Sequence, residues 1–191
     1  ASGMQIPMLI GEFFGSCAIV VLMITPAISM RLFSEELKQH TMELLFTSPV
    51  SVAEIVLGKY LGAMGFLAVL MLCTLHYPVS LWLWADPHLP VFAVGYATIL
   101  LMGSVLIAVG MAFSAFTSNQ IVASVLTLGT ALSLFMISVL ADTPDDWQHK
   151  LALSTHLSEL LMGVVRLSDV AYFVLFTGVG LFITHQRLES F

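Results

Sequence analysis

RLFSEELKQHTMELLFTSPVSVAEIVLGK, residues Arg31 to Lys59, is the only long polar interruption near the start of an otherwise apolar chain. Apolar runs long enough to cross a bilayer flank it on both sides. Neither Phe13 to Met30 nor Tyr60 to Ala85 contains Asp, Glu, Lys or Arg. Within the stretch, the spacing of Phe33, Leu37, Leu44 and Leu45 puts them on one helical face, while Glu35, Glu36, Lys38 and Glu43 stay wet. Thr47-Ser48-Pro49 breaks that pattern. Ser51 restarts it as an N-cap, and Glu54, three residues on, completes a capping box. An amphipathic helix over Glu35–Ser48, a break and a freshly capped membrane helix read as a docking surface. The alternative is a solvated linker lying on lipid headgroups.

Working outward, composition fixes the class. Hydrophobic residues make up 59% and charged residues 9%, and the mean hydropathy is +1.00, values outside the range of soluble domains. The fold class is an all-α integral membrane protein, a helical bundle forming a single domain over residues 1–191. Its net charge of -6 arises mostly from acids in loops, so it says little about partners. The two cysteines, Cys17 and Cys73, each lie in an apolar run and read as small hydrophobes, not a disulfide framework.

The expected spans are about 13–30, 52–84, 91–116, 121–140 and 170–184. Pro26 should loosen the end of the first. The second exceeds the ~20 residues a bilayer needs and ends in an aromatic belt of Tyr77, Trp82 and Trp84. Thr117-Ser118-Asn119-Gln120 divides the uncharged stretch from Pro87 to Ala141 into a hairpin. Residues 142–169 should form two short helices broken near Ser154. Thr143-Pro144-Asp145-Asp146 reads as a capped start, and Leu157, Leu160, Leu161 and Val164 form a helical stripe.

If the segment 31–51 is cytoplasmic, Arg31, Lys38, Lys59 and Arg187 lie inside, four of the six basic residues. Ala1 then starts outside, yet Ala1–Gly11 has no basic n-region and is not a signal peptide. A further helix is therefore expected before Ala1, making six spans.

Catalytic constellations are not apparent. Gly58-Lys59 resembles the end of a phosphate loop, but position 53 is Ala, so the chain lacks an ATPase motif. The histidines His40, His76, His88, His149, His156 and His185 are scattered without zinc-ligand spacing. His76 reads as a hydrogen-bonded polar residue within a span, and Glu12 as a headgroup-level carboxylate or a gate. Gly11-xxx-Gly15 and Gly58-xxx-Gly62 are helix-packing signals. The eleven methionines read as packing filler.

The runs Met30–Glu36, Thr41–Ser51 and Glu54–Lys59 resemble the permease subunits of ABC-2-type exporters, with the nearest likeness to the gliding-motility branch. Ser114–Ala123 is similar to that family's central hairpin. His156, Gly163-Val164-Val165 and Asp169–Phe173 are similar to its last outer segment and span. His40 departs from the pattern, standing where the family has glycine before Thr41.

The resemblance implies a permease in the bacterial inner membrane that couples ATP hydrolysis elsewhere to export or mechanical work. Its coupling helix would use Phe33, Glu35, Glu36, Leu37, Thr41, Glu43, Leu44, Leu45 and Pro49. Residues 142–169 would be a partly re-entrant outer hairpin. The implied partners are an ATP-binding subunit dimer, a second permease copy or homologue, membrane lipid and possible further envelope proteins, but no nucleic acid. ATP and Mg would sit on the ATPase, with no cofactor in this chain. The rival reading is a membrane anchor that recruits a cytosolic complex without transport. An intramembrane enzyme is a third, unsupported by any catalytic grouping.

Overall fold

The structure is a computed structural model and describes residues 5–42, 50–84, 89–140, 150–161 and 166–190. The described elements are α-helical apart from one 3-10 turn, and five of the helices are long and apolar enough to span a membrane. In chain order they are α1 (Gln5–Ser29), α2 (Ser34–Gln39), α3 (Val52–Cys73), α4 (His76–Trp84), α5 (Leu89–Phe116), α6 (Gln120–Met136), α7 (Leu153–Leu161) and α8 (Leu167–Glu189). The 3-10 turn Ile137–Leu140 extends α6.

Helix α5 is the axis of the bundle. It touches α1, α2, α3, α6, α7 and α8. Of its most apolar stretch 72% is buried within the chain, against 44% for the first span and 22% or less for the other three. Lipid tails are as apolar as Leu, so membrane helices associate through close packing rather than a hydrophobic drive. The glycines of α5 supply that packing. A Cβ at Gly95 would overlap the Phe14 ring, one at Gly103 would overlap Leu67, and one at Gly110 would overlap the Ser29 hydroxyl. Gly180 on α8 lies so close to α5 that an added Cβ would come within 2.9 Å of the Ala108 carbonyl carbon.

The glycines singled out in the sequence behave differently. Gly11, Gly15, Gly58 and Gly62 have nothing within 4 Å of an added Cβ. Small residues close-pack only where another helix arrives, and the neighbours arrive on α5. Among the described residues, no neighbouring helix packs against Gly58 or Gly62.

The second span also differs from one continuous helix. It turns at Thr74 and Leu75 before α4 begins. Pro78 has no N–H to offer the Thr74 carbonyl four residues back, and its ring crowds that carbonyl. The Tyr77 N–H takes its place at 3.1 Å. The break is held laterally by a 3.0 Å hydrogen bond between the Thr74 and Tyr96 hydroxyls and by Tyr77 stacking on Phe13 at 4.2 Å. Helix α8 is longer than expected, 23 residues running on through His185-Gln186-Arg187 to bury Leu188.

In the segment after α6, the break falls at Ala152, just before α7, rather than near Ser154. Ala152 and Leu153 are fully buried there. The expected capped start at Thr143 and the end of the stripe at Val164 lie outside the described residues.

Gly180→Leu should therefore destabilise the bundle by about 1–3 kcal/mol, because the opposing Ala108 backbone cannot swing aside. Gly62→Leu, facing open space, should stay within about 0.5 kcal/mol of the parent. Unfolding midpoints of the two variants in one detergent provide the check.

Candidate coupling site

The described parts of this stretch, residues 31–42 and 50–59, meet at one end of the bundle. Ser51 and Glu54 form the capping box that starts α3. The Ser51 N–H donates to Glu54 Oε2 at 2.8 Å and the Glu54 N–H to Ser51 Oγ at 3.3 Å. This fixes the angle at which the chain enters α3. Two turns along, Lys59 points back toward α2. Its ammonium donates to both carboxylate oxygens of Glu36 and to the carbonyl of Leu32. It also lies 4.4 Å from the centroid of the Phe33 ring.

An ammonium has three hydrogens and no acceptor, so these three oxygens use all of them. The two side chains remain 22% and 29% exposed. The pair is thus neither a free surface ion pair of little worth nor a fully desolvated one.

Phe33 is the apolar half of the same joint. It is fully buried, packed with Met42, Val56, Met111, Ala115 and Leu188. Those residues come from the α2 segment, α3, α5 and α8, so three spans gather in one cluster with Phe33. Burying a phenylalanine side chain contributes about 1.5–3 kcal/mol, more than the ~0.5–2 kcal/mol of the cation above it. Phe33 therefore belongs to the bundle and not to an exposed stripe.

Helix α2 itself is short. It stops at His40, which takes a left-handed conformation at φ 55°. The N–H of His40 and that of Thr41 (3.1 Å) both turn back to the Glu36 carbonyl. The expected helix over Glu35–Ser48 is therefore interrupted at His40, the position where the resembled family has glycine. The physical reason is that a left-handed residue ends a helix, and glycine adopts that shape most readily.

A comparison with protein-family models matches residues 6–182 to the ABC-2 family transporter protein model. The chain belongs to the ABC-2 transporter family. A comparison with curated proteins finds no match. This ABC-2 chain is thus a multi-pass permease subunit of an ABC transporter, a kind of subunit that works with an ATP-binding partner and normally lacks an ATPase site of its own.

The family's membrane subunit places the expected coupling residues unequally. Phe33 is buried, and Leu37 is half-buried against the same cluster. Glu36 is bound by Lys59, whereas half-buried Glu35 accepts a local bond from Gln39 at 3.3 Å. Thr41 is half-buried with its hydroxyl 3.5 Å from the Glu36 carbonyl. Glu43, Leu44, Leu45 and Pro49 lie outside the described residues. Arg31, Lys38, Gln39 and His40 are exposed, and Lys38 lines a shallow cleft with Ser118, Asn119 and Gln120 at the capped start of α6.

Lys59 was missed in the sequence as a site residue. Its partner is 23 positions away, and local periodicity carries no information at that range. The one available signal is a single lysine just inside an apolar span, where charge is costly without a partner.

Two substitutions test this joint. Lys59→Met should weaken the docking of α2 by about 1–3 kcal/mol, seen as faster amide exchange over 33–39 with α3 unchanged. His40→Gly should raise stability by about 0.5–1 kcal/mol, because the left-handed conformation no longer strains a side chain. Thermal unfolding reads the second.

Proposed function

We propose that this ABC-2 permease couples ATP hydrolysis by a separate ATP-binding subunit dimer to export, or to mechanical work, across the bacterial inner membrane. The segment 31–51 would be its cytoplasmic coupling element, on the face where four of the six basic residues fall. ATP and Mg would be held by the partner. Two permease copies, or this chain and a homologue, would enclose the path, as in the gliding-motility branch that the sequence resembles.

The observation that carries the reading is the joint of Lys59, Glu36 and Phe33. An apolar bundle has no energy source, so a ligand-driven partner must bias its two states through a contact. A force applied to α2 is useful only if α2 is fixed to the spans. Here the ion pair ties it to α3, and the Phe33 ring seats it against α5 and α8. The exposed polar face of Arg31, Lys38, Gln39 and His40 is left for a partner.

Charge reversal provides the test. Lys59→Glu should leave the ATP-binding subunit bound but lower permease-stimulated ATPase activity roughly tenfold or more, the cost of setting two like charges together. Adding Glu36→Lys should restore most of it by re-forming the pair in reverse. Unchanged ATPase stimulation in Lys59→Glu would favour the anchoring reading, in which the chain recruits the complex and transmits nothing.

A further inference from the structure

At the end of the bundle opposite Lys59, a histidine–carboxylate pair is more deeply buried. Asp169, in the first turn of α8, is only 2% exposed, and its Oδ2 has no hydrogen-bond partner. Its Oδ1 lies 2.7 Å from Nδ1 of His156 on α7 and 3.5 Å from the Ser168 hydroxyl. The other ring nitrogen of His156, Nε2, lies 2.9 Å from the Lys150 carbonyl. Tyr172 stacks on the imidazole at 4.2 Å and donates its hydroxyl to the Leu151 carbonyl at 2.7 Å.

Proton counting constrains this group. A carbonyl only accepts, so Nε2 must carry a hydrogen to bond Lys150. A neutral imidazole has one N–H, which leaves Nδ1 as a bare lone pair facing Oδ1. The 2.7 Å contact then needs a second proton, either on Nδ1 beside an ionised Asp169 or on the carboxyl itself. With neutral His156 and ionised Asp169, one of the two bonds must be lost. A buried carboxylate with one bare oxygen adds to the demand, since it is costly without positive charge or a proton against it.

We propose that His156 and Asp169 form a proton-binding latch. One shared proton fastens α7 and the break at Ala152 to the head of α8, and losing it frees the Lys150 tie. The inference stands on this geometry and not on the coupling reading.

Helices α5 and α6, which pack on α7, contain no Asp, Glu, Lys, Arg or His. Helix α3, which packs on α8, has its charges Glu54 and Lys59 toward the other end. The nearest charged residues along the chain are Lys150, Arg166 at the start of α8, and Glu159 one turn on in α7. Because the latch is closed when protonated, it holds at low pH and opens as pH rises.

The test uses the intact transporter in lipid from about pH 5 to about pH 9. Side-chain nitrogen and carboxyl NMR of His156 and Asp169 count the protons, and amide exchange over Leu153–Leu161, corrected for its intrinsic pH dependence, reads the latch. Two protons in the group are expected at the acid end. Protection should fall roughly tenfold as one leaves, the effect of losing one hydrogen bond to a charged group. In Asp169→Asn the amide can donate to Nδ1 while Nε2–H keeps Lys150, so protection should hold across the range. A neutral ring beside an ionised Asp169 at pH 5 would overturn the proposal, as would an Asp169→Asn variant with the parent's pH dependence. If that variant does not assemble, the proton count in the parent protein still decides.

Discussion

Three hydrogens on the Lys59 ammonium meet three oxygens, and α2 depends on that match to stay on the bundle. The segment leaves α1 after Ser29, crosses to α3 and could otherwise swing about its two ends. The ion pair fixes one side of it, and the Phe33 ring fixes the other. The two contacts support each other, since the partly buried pair lies against the buried ring. Together they make α2 an extension of α3.

What α2 is fixed to is set by α5. Its glycines let Phe14, Leu67 and Ser29 reach the helix surface, and Gly180 brings α8 against it. The same helix ends at Met111 and Ala115 in the Phe33 cluster. At the far end it packs on α7. Helix α8 likewise links the two ends, from Asp169 beside His156 to Leu188 beside Phe33. The α2 segment and the segment around α7 thus share the same two rods, with no irregular backbone between them.

Features set by neighbours three or four residues apart were legible in the sequence. The apolar runs gave five helices fit to span a membrane, and the Ser51–Glu54 spacing gave the capped start of α3. Features that pair distant residues were not. Phe33 looked like part of a docking face for a partner or lipid, because helical periodicity says which residues share a face but not which way that face turns. Gly58 and Gly62 looked like packing notches, yet the neighbours settled on α5. His156 seemed one of several scattered histidines until the fold set it beside Asp169, 13 positions on. The break at Thr74 was available in Pro78 but was hidden by the unbroken hydrophobicity around it.

Spin labels at Gln39 on α2 and Leu57 on α3, both exposed positions, measure most directly whether α2, the proposed coupling element, moves with the spans. If the Lys59 joint transmits force, their distance should keep the same mean and width when ATP binds the partner and through turnover. In Lys59→Met the distribution should broaden under the same conditions. A clear ATP-dependent change of the Gln39–Leu57 distance in the parent protein would contradict the account, since α2 would then move independently of the helix it is held to drive.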